Sequence, residues 1–138
     1  MPEEPTTPDI VELSRQVFGA MVGRDFGAVE GFYAPDAIYR GEQVGTYEGA
    51  AAIRGLFEDM LSPYEEFHGE VEEIVDLGNA VVFAVISANG RPAGSSAFAQ
   101  VRLAGAAVWA NGVIERQTAY LDIDEGRAVA ERLAQERG

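Results

Sequence analysis

The chain has no cysteine, one histidine, one tryptophan and no lysine; its ten basic residues are all arginine. Without cysteine there is no disulfide framework, no thiolate metal site and no cysteine nucleophile, and the redox compartment stays open. His68 stands beside Gly69 at a strand entry with no second histidine near it, which argues against zinc. Glu70, Glu72, Glu73 and Asp76 read as a charged, solvated strand edge and not as a calcium loop, so no metal is expected. No glycine-rich phosphate cradle follows a strand and opens a helix, so no nucleotide or other cofactor is expected either. The arginines are scattered and the net charge is −13, which repels phosphate backbones and anionic bilayers; neither nucleic acid nor membrane is an expected partner. No apolar run reaches the roughly 18 residues of a membrane span. The opening MPEEPTTPD is acidic and proline-rich where a signal peptide would be basic and then apolar, so the expected location is cytoplasmic.

At 138 residues a single domain can bury about 68–70% of the surface of its unfolded chain. Ser95 to Leu121 contains two apolar runs flanking Asn111-Gly112, residues that accept positive φ, and this pattern predicts a long antiparallel hairpin. Ala97, Ala99, Ala104, Gly105, Ala106 and Ala107 crowd one half of it. Missing side chains leave room over the inner face of a curved sheet, where small ligands sit. A helix packed closely on small strand residues would produce the same pattern.

Along the chain, residues 1–8 read as a disordered lead-in, 9–122 as the domain, and 123–138 as a terminal helix packed on it. Thr7-Pro8 predicts a helix start. Ile10, Leu13, Val17 and Met21, widened by Val11, Phe18 and Val22, predict a helix to about Val22, stopped by Gly23. Asp25 caps a second helix carrying Phe26, Val29, Phe32 and Tyr33, with Pro35 ending it. Ala37 to Arg40 reads as a brief strand, and Gly41, Gly45 and Gly49 as marking a rim loop. Ala50 to Leu61 predicts a third helix with Ile53, Leu56, Phe57, Met60 and Leu61 inward. Phe67 to Leu77 and Val81 to Ala88 predict strands joined at Gly78-Asn79, the second apolar on both faces and so covered on both. Asn89 to Pro92 reads as a turn. From Asp122 a tail helix follows with Val129 and Leu133 as its sizeable anchors. The class is α+β: one curved antiparallel sheet wrapping three N-terminal helices, plus the tail helix.

Strand parity places Leu103, Gly105, Ala107 and Trp109, and on the return strand Glu115, Gln117, Ala119 and Leu121, on the concave face. Trp109 is either a stacking wall for a flat ligand or an ordinary core residue. Gln117, an amide between apolar neighbours, requires a partner. Tyr39 could aim its hydroxyl into the same space or leave it solvated at the rim. Glu115 suits a general base if apolar walls raise its pKa, and is otherwise a solvated hairpin residue. Arg102 falls on the opposite face.

The phrases GRDFGAVEGFYAPDAIY, YEGAAAIRGLF, VEEIVDLGNAVVF and AAVWANGVIERQTAYLDIDEGRAVAERL, in this order over residues 9–137, resemble the NTF2-like superfamily and, within it, the SnoaL-like group of polyketide cyclases near the ketosteroid isomerases. The resemblance implies a cone-shaped fold. Its open end would be lined by the first helix, the strand after Pro35 and the long hairpin, with Val17, Met21, Phe57, Gly105, Trp109 and Ala119 touching an apolar small molecule. At the positions of the isomerases' base, phenol donor and acid donor this chain has Gly41, Val17 and Gly105, so isomerisation by that mechanism is not expected. The resemblance also implies a homodimer through the convex sheet face, where parity puts Arg116, Thr118 and Tyr120. Three functions stay open. One is cofactor-independent cyclisation, isomerisation or dehydration by proton transfer, with Tyr39, Gln117 and Glu115 as its residues. The others are a non-catalytic binding module and a dimerisation module with a collapsed cavity.

Overall fold

The computed structural model describes residues 9–42 and 44–138. Its first helix, α1 (Ile10–Val22), starts at Asp9, whose carboxylate accepts from the Val11 and Glu12 amides. That satisfies two donors a helix start leaves free. Thr7-Pro8, the expected start, lies outside the described residues. Asp9→Ala is expected to cost about 1 kcal/mol, read as a fall of roughly 3–4 °C in Tm.

Helix α2 (Phe26–Gly31) is capped by Asp25 as expected but is shorter than expected. Tyr33 is not helical. It opens β1 (Tyr33–Gly41), which pairs in parallel with the last strand, Tyr33 opposite Ile114 and then Ile38 opposite Arg116. The irregular stretch between those pairs holds Pro35, a place in the sheet where a residue without an N–H costs no ladder bond. The expected rim loop is in part an edge strand, β2 (Gly45–Glu48), folded back on β1 with Tyr39 opposite Tyr47. Gly45 and Gly49, at φ +90° and +95°, bound this strand instead of breaking it.

After α3 (Ala50–Leu61) come β3 (Tyr64–Gly78) and β4 (Val81–Pro92), both longer than expected, so that Asn89 to Pro92 is strand and not turn. Gly90 is tolerated there because the Tyr64 ring occupies the space of its missing side chain; a Cβ would stand 2.4 Å from the Tyr64 ring carbon Cδ1. Strands β5 (Ala99–Ala110) and β6 (Val113–Tyr120) form the hairpin expected at Asn111-Gly112, with both residues at positive φ. The sheet order is β2-β1-β6-β5-β4-β3.

The helices divide between the two faces. Helices α1, α2 and α3 pack on the inner face, with Val29, Ile53, Leu56 and Phe57 against Val82, Trp109 and Ile114. The tail helix α4 (Ile123–Arg137) lies on the outer face over Phe83, Val85, Ala104 and Ala106 and over Val81 and Val108. This explains the two-sided apolarity of β4: odd-numbered residues meet α4 and even-numbered ones the interior. The buried line of α4 is Gly126, Ala130 and Ala134, with Leu133 only partly buried and Val129 outside that line. Small residues let the helix lie close. A Cβ on Gly126 would already be 3.0 Å from the Ala104 Cβ. Arg127 clamps the helix to β3 through two hydrogen bonds to Glu73 and stacks over Phe83, 4.8 Å from the ring centre. On the outer face α4 thus covers β3 to β5 and Tyr120 at the end of β6, while Arg116 and Thr118 of β6 stay partly or fully open to solvent.

Candidate functional site

Between the inner face of the sheet and helices α1 and α3 lies a cavity of about 370 Å³. Its helical wall carries Val17, Phe18 and Met21 from α1 with Phe57, Met60 and Leu61 from α3; its sheet wall carries Ile86, Leu103, Gly105, Ala107, Ile114 and Ala119 among others. Among the described residues lining it there is no Asp, Glu, His or Arg; the polar groups are Ser14, Tyr33, Tyr39, Tyr64 and Gln117. Ser14 is spent within its own helix, donating to the Ile10 carbonyl at 2.7 Å.

Three of the others form one unit. Tyr39 and Gln117 are directly opposite each other on the parallel strands β1 and β6, so their side chains stand side by side on the cavity face. The Tyr33 hydroxyl, from the near end of β1, donates to Gln117 Oε1 at 2.5 Å. The amide oxygen is satisfied by that bond, which leaves Nε2 as the donor facing the cavity; it lies 3.9 Å from where a Cβ on Gly105 would stand. Phe57 packs edge-on to Tyr39 at 5.7 Å and tilted against Tyr33 at 6.3 Å, which fixes both phenol rings.

Tyr39 is 5% exposed as a residue, yet its hydroxyl has no hydrogen-bond partner among the described residues and is not among the sealed polar atoms, so it opens on the cavity. Burial pushes its pKa up to about 12. Burial, followed by the neighbouring Tyr39, pushes Tyr33 higher still. Both phenols are therefore neutral donors across the physiological range. For folding the sign is clear. A raised tyrosine pKa stabilises the fold fully below the unfolded value of about 10 and the contribution is lost as pH rises through the folded value. We expect a stability plateau up to about pH 10 and a decline between pH 10 and 12, followed by urea unfolding; in Tyr39→Phe the decline should be shallower.

Of the residues the sequence singles out, Tyr39, Gln117, Val17, Met21, Phe57, Gly105 and Ala119 come together around the cavity. Glu115 and Trp109 do not. The β5–β6 register shifts between Val108 opposite Arg116 and Trp109 opposite Ile114, so Glu115 is the extra residue of a bulge and is exposed. Ile114 takes the inward place expected for Glu115. Trp109 is on the predicted face, but it is 2% exposed within the core beyond the cavity, its indole N–H sealed without a partner among the described residues. Tyr33 is the functional residue that sequence reasoning misses. Its signal, an aromatic two residues before a proline, is shared by helix ends and bulged strands. His68 is exposed on the outer face beside Phe98, and no group of three His, Asp or Glu side chains gathers among the described residues to hold a metal.

The geometry can bind an acceptor oxygen between two neutral donors, and the described residues lining it include no carboxylate or imidazole to remove a proton. A family model described as a SnoaL-like domain matches residues 14–130. No curated protein matches the sequence. Among solved structures, a hypothetical protein with a ketosteroid isomerase-like fold from Catenulispora acidiphila, in complex with trimethylamine, is similar at TM-score 0.71 and 20% identity, covering 83% of this chain and 86% of that one. A protein from Shewanella putrefaciens, provisionally described as a SnoaL-like polyketide cyclase, is similar at 0.68 and 14% identity over 90% and 99% of the two chains. An NTF2-like protein of unknown function from Burkholderia pseudomallei gives 0.71 and 15% over 86% and 95%. At such identities the likeness is one of fold.

Proposed function

Because the chain belongs to the SnoaL-like domain family, with an α+β, NTF2-like fold, we propose that its cone is a binding site for a small, uncharged, mainly apolar molecule held by one oxygen between Tyr39 and Gln117. The observation that carries this is the pairing of those two donors on adjacent strands inside a cavity whose lining has no charged side chain among the described residues. A buried charge without a partner is costly, so both anions and cations are disfavoured there. A carbonyl or hydroxyl oxygen satisfies Tyr39 Oη and Gln117 Nε2 together.

A second reading has a specific observation in its favour. The partnerless Tyr39 hydroxyl could protonate or polarise a substrate oxygen, which suits a cofactor-independent cyclase, isomerase or dehydratase whose base is water or the substrate itself. A homodimer, if formed through the convex side, would use the part of the sheet α4 leaves open, around Arg116 and Thr118.

Native mass spectrometry of the protein as expressed tests the binding reading, followed by titration of the retained molecule. Tyr39→Phe is expected to weaken binding about tenfold, the worth of one hydrogen bond in a dry site. Glu115→Gln should leave affinity and any turnover unchanged. Equal affinity for wild type and Tyr39→Phe would rule the donor pair out.

A further inference from the structure

The lining of the cavity is graded from end to end. Tyr33, Tyr39 and Leu61 are buried, whereas Met60 is 36% and Val101 42% exposed. These two are half of the large apolar side chains left exposed among the described residues. Both line the cavity, and their exposure marks its open end. Among the described residues, strand β5 is unpaired along that side: its pairing with β6 begins only at Ala104 opposite Tyr120, so Ala99 to Leu103 bond to β4 alone. The mouth is therefore a slot along a free strand edge, floored by Val101 and Leu103 and faced by Met60. Exposed apolar side chains at a cavity mouth are explained when a ligand covers them.

Resting on the reading of the cavity given above, we infer that the ligand is a single-headed chain: a neutral ketone, aldehyde or alcohol group seated at Tyr39 and Gln117, with a hydrocarbon tail leaving through the slot across Met60 and Val101. At about 30 Å³ per water-sized group, the cavity volume holds roughly a dozen heavy atoms, and a longer tail continues onto the slot. The head is neutral because no charged side chain lines the cavity among the described residues to pair with a carboxylate or an ammonium.

The test is calorimetric titration of the intact protein with 2-alkanones of eight to fourteen carbons and with fatty acids of matching length at pH 8. Dissociation constants of the ketones should fall up to about fourfold per methylene and go on falling beyond the length that fills the cavity, while each fatty acid binds at least about a hundredfold more weakly than its ketone. Replacing Met60 and Val101 together by serine should weaken the fourteen-carbon ketone about tenfold and the eight-carbon ketone less than threefold, two methylenes' worth of apolar contact at the slot. Ketone binding that stops improving at the cavity length, or equal losses at both lengths in the double variant, overturns the tail-out chain and leaves the donor pair standing; fatty acids as tight as ketones overturn the neutral head. No binding by any ketone overturns the donor pair itself.

Discussion

A chain ended after Asp122 is expected to lose its folded monomer. Without α4, the outer faces of β4 and β5 present Val81, Phe83, Val85 and Val108 to water, four side chains that are 0 to 3% exposed in the intact protein. Full exposure of such a side chain costs about 1.5–3 kcal/mol. Even two of them would take at least roughly 3 kcal/mol from a domain whose total stability is about 5–15 kcal/mol. The truncated chain should either unfold at much lower urea or cover the stripped face with a second copy, which is what size-exclusion chromatography with light scattering distinguishes. Gly126→Leu should reproduce part of the loss, because even a Cβ there already presses on Ala104 and Tyr120. A truncated monomer with an unchanged urea midpoint would mean that the helix rests on the sheet without stabilising it.

The second large effect is expected in the Tyr33–Gln117 pair. Tyr33→Phe leaves the amide oxygen of Gln117 in an apolar wall with no donor, at a cost of about 1–3 kcal/mol; Gln117→Leu strands the Tyr33 hydroxyl at a similar cost. The double variant replaces both groups by apolar ones of nearly the same shape and should be close to wild type in stability. A coupling of about 2–6 kcal/mol in the double-mutant cycle, the sum of the two single losses, is the expected outcome. Ligand binding should separate from stability here, since Gln117→Leu also removes the Nε2 donor and the double variant stays weak in binding although it folds well. Simple additivity of the two single losses would show that the bond contributes nothing of its own.

Much of this was legible in the residues. Helical spacing with Gly23 and Asp25 as punctuation places three helices, and Asn111-Gly112 marks the hairpin because two successive positive φ values suit few other pairs. Gln117 is visible as an amide that needs a partner, and its partner is Tyr33. Tyr33 itself was hidden because a proline two residues on is read as a helix stop, and only the parallel strand β6 shows that the segment is extended. Glu115 was misplaced for a related reason: parity counts residues along one strand, and a bulge is a property of two. Likewise Gly45 and Gly49 look like loop until β1 is there to pair with. The tail helix is visible in its polar pattern, but that pattern points to Val129 and Leu133 as the contact surface, whereas close approach to the sheet favours glycine and alanine.

The parallel contact between β1 and β6 has a consequence for how the molecule is made. Tyr33 and Gln117 are 84 residues apart in the chain, and at 5–20 residues per second the ribosome needs roughly 4 to 17 s to travel that distance. For that interval β1 and β2 have no neighbour on the side that will face β6, and closure cannot precede the arrival of the last strand. Sheets completed by such distant partners form slowly once the chain is free, which makes the newborn amino-terminal third the segment most in need of a chaperone.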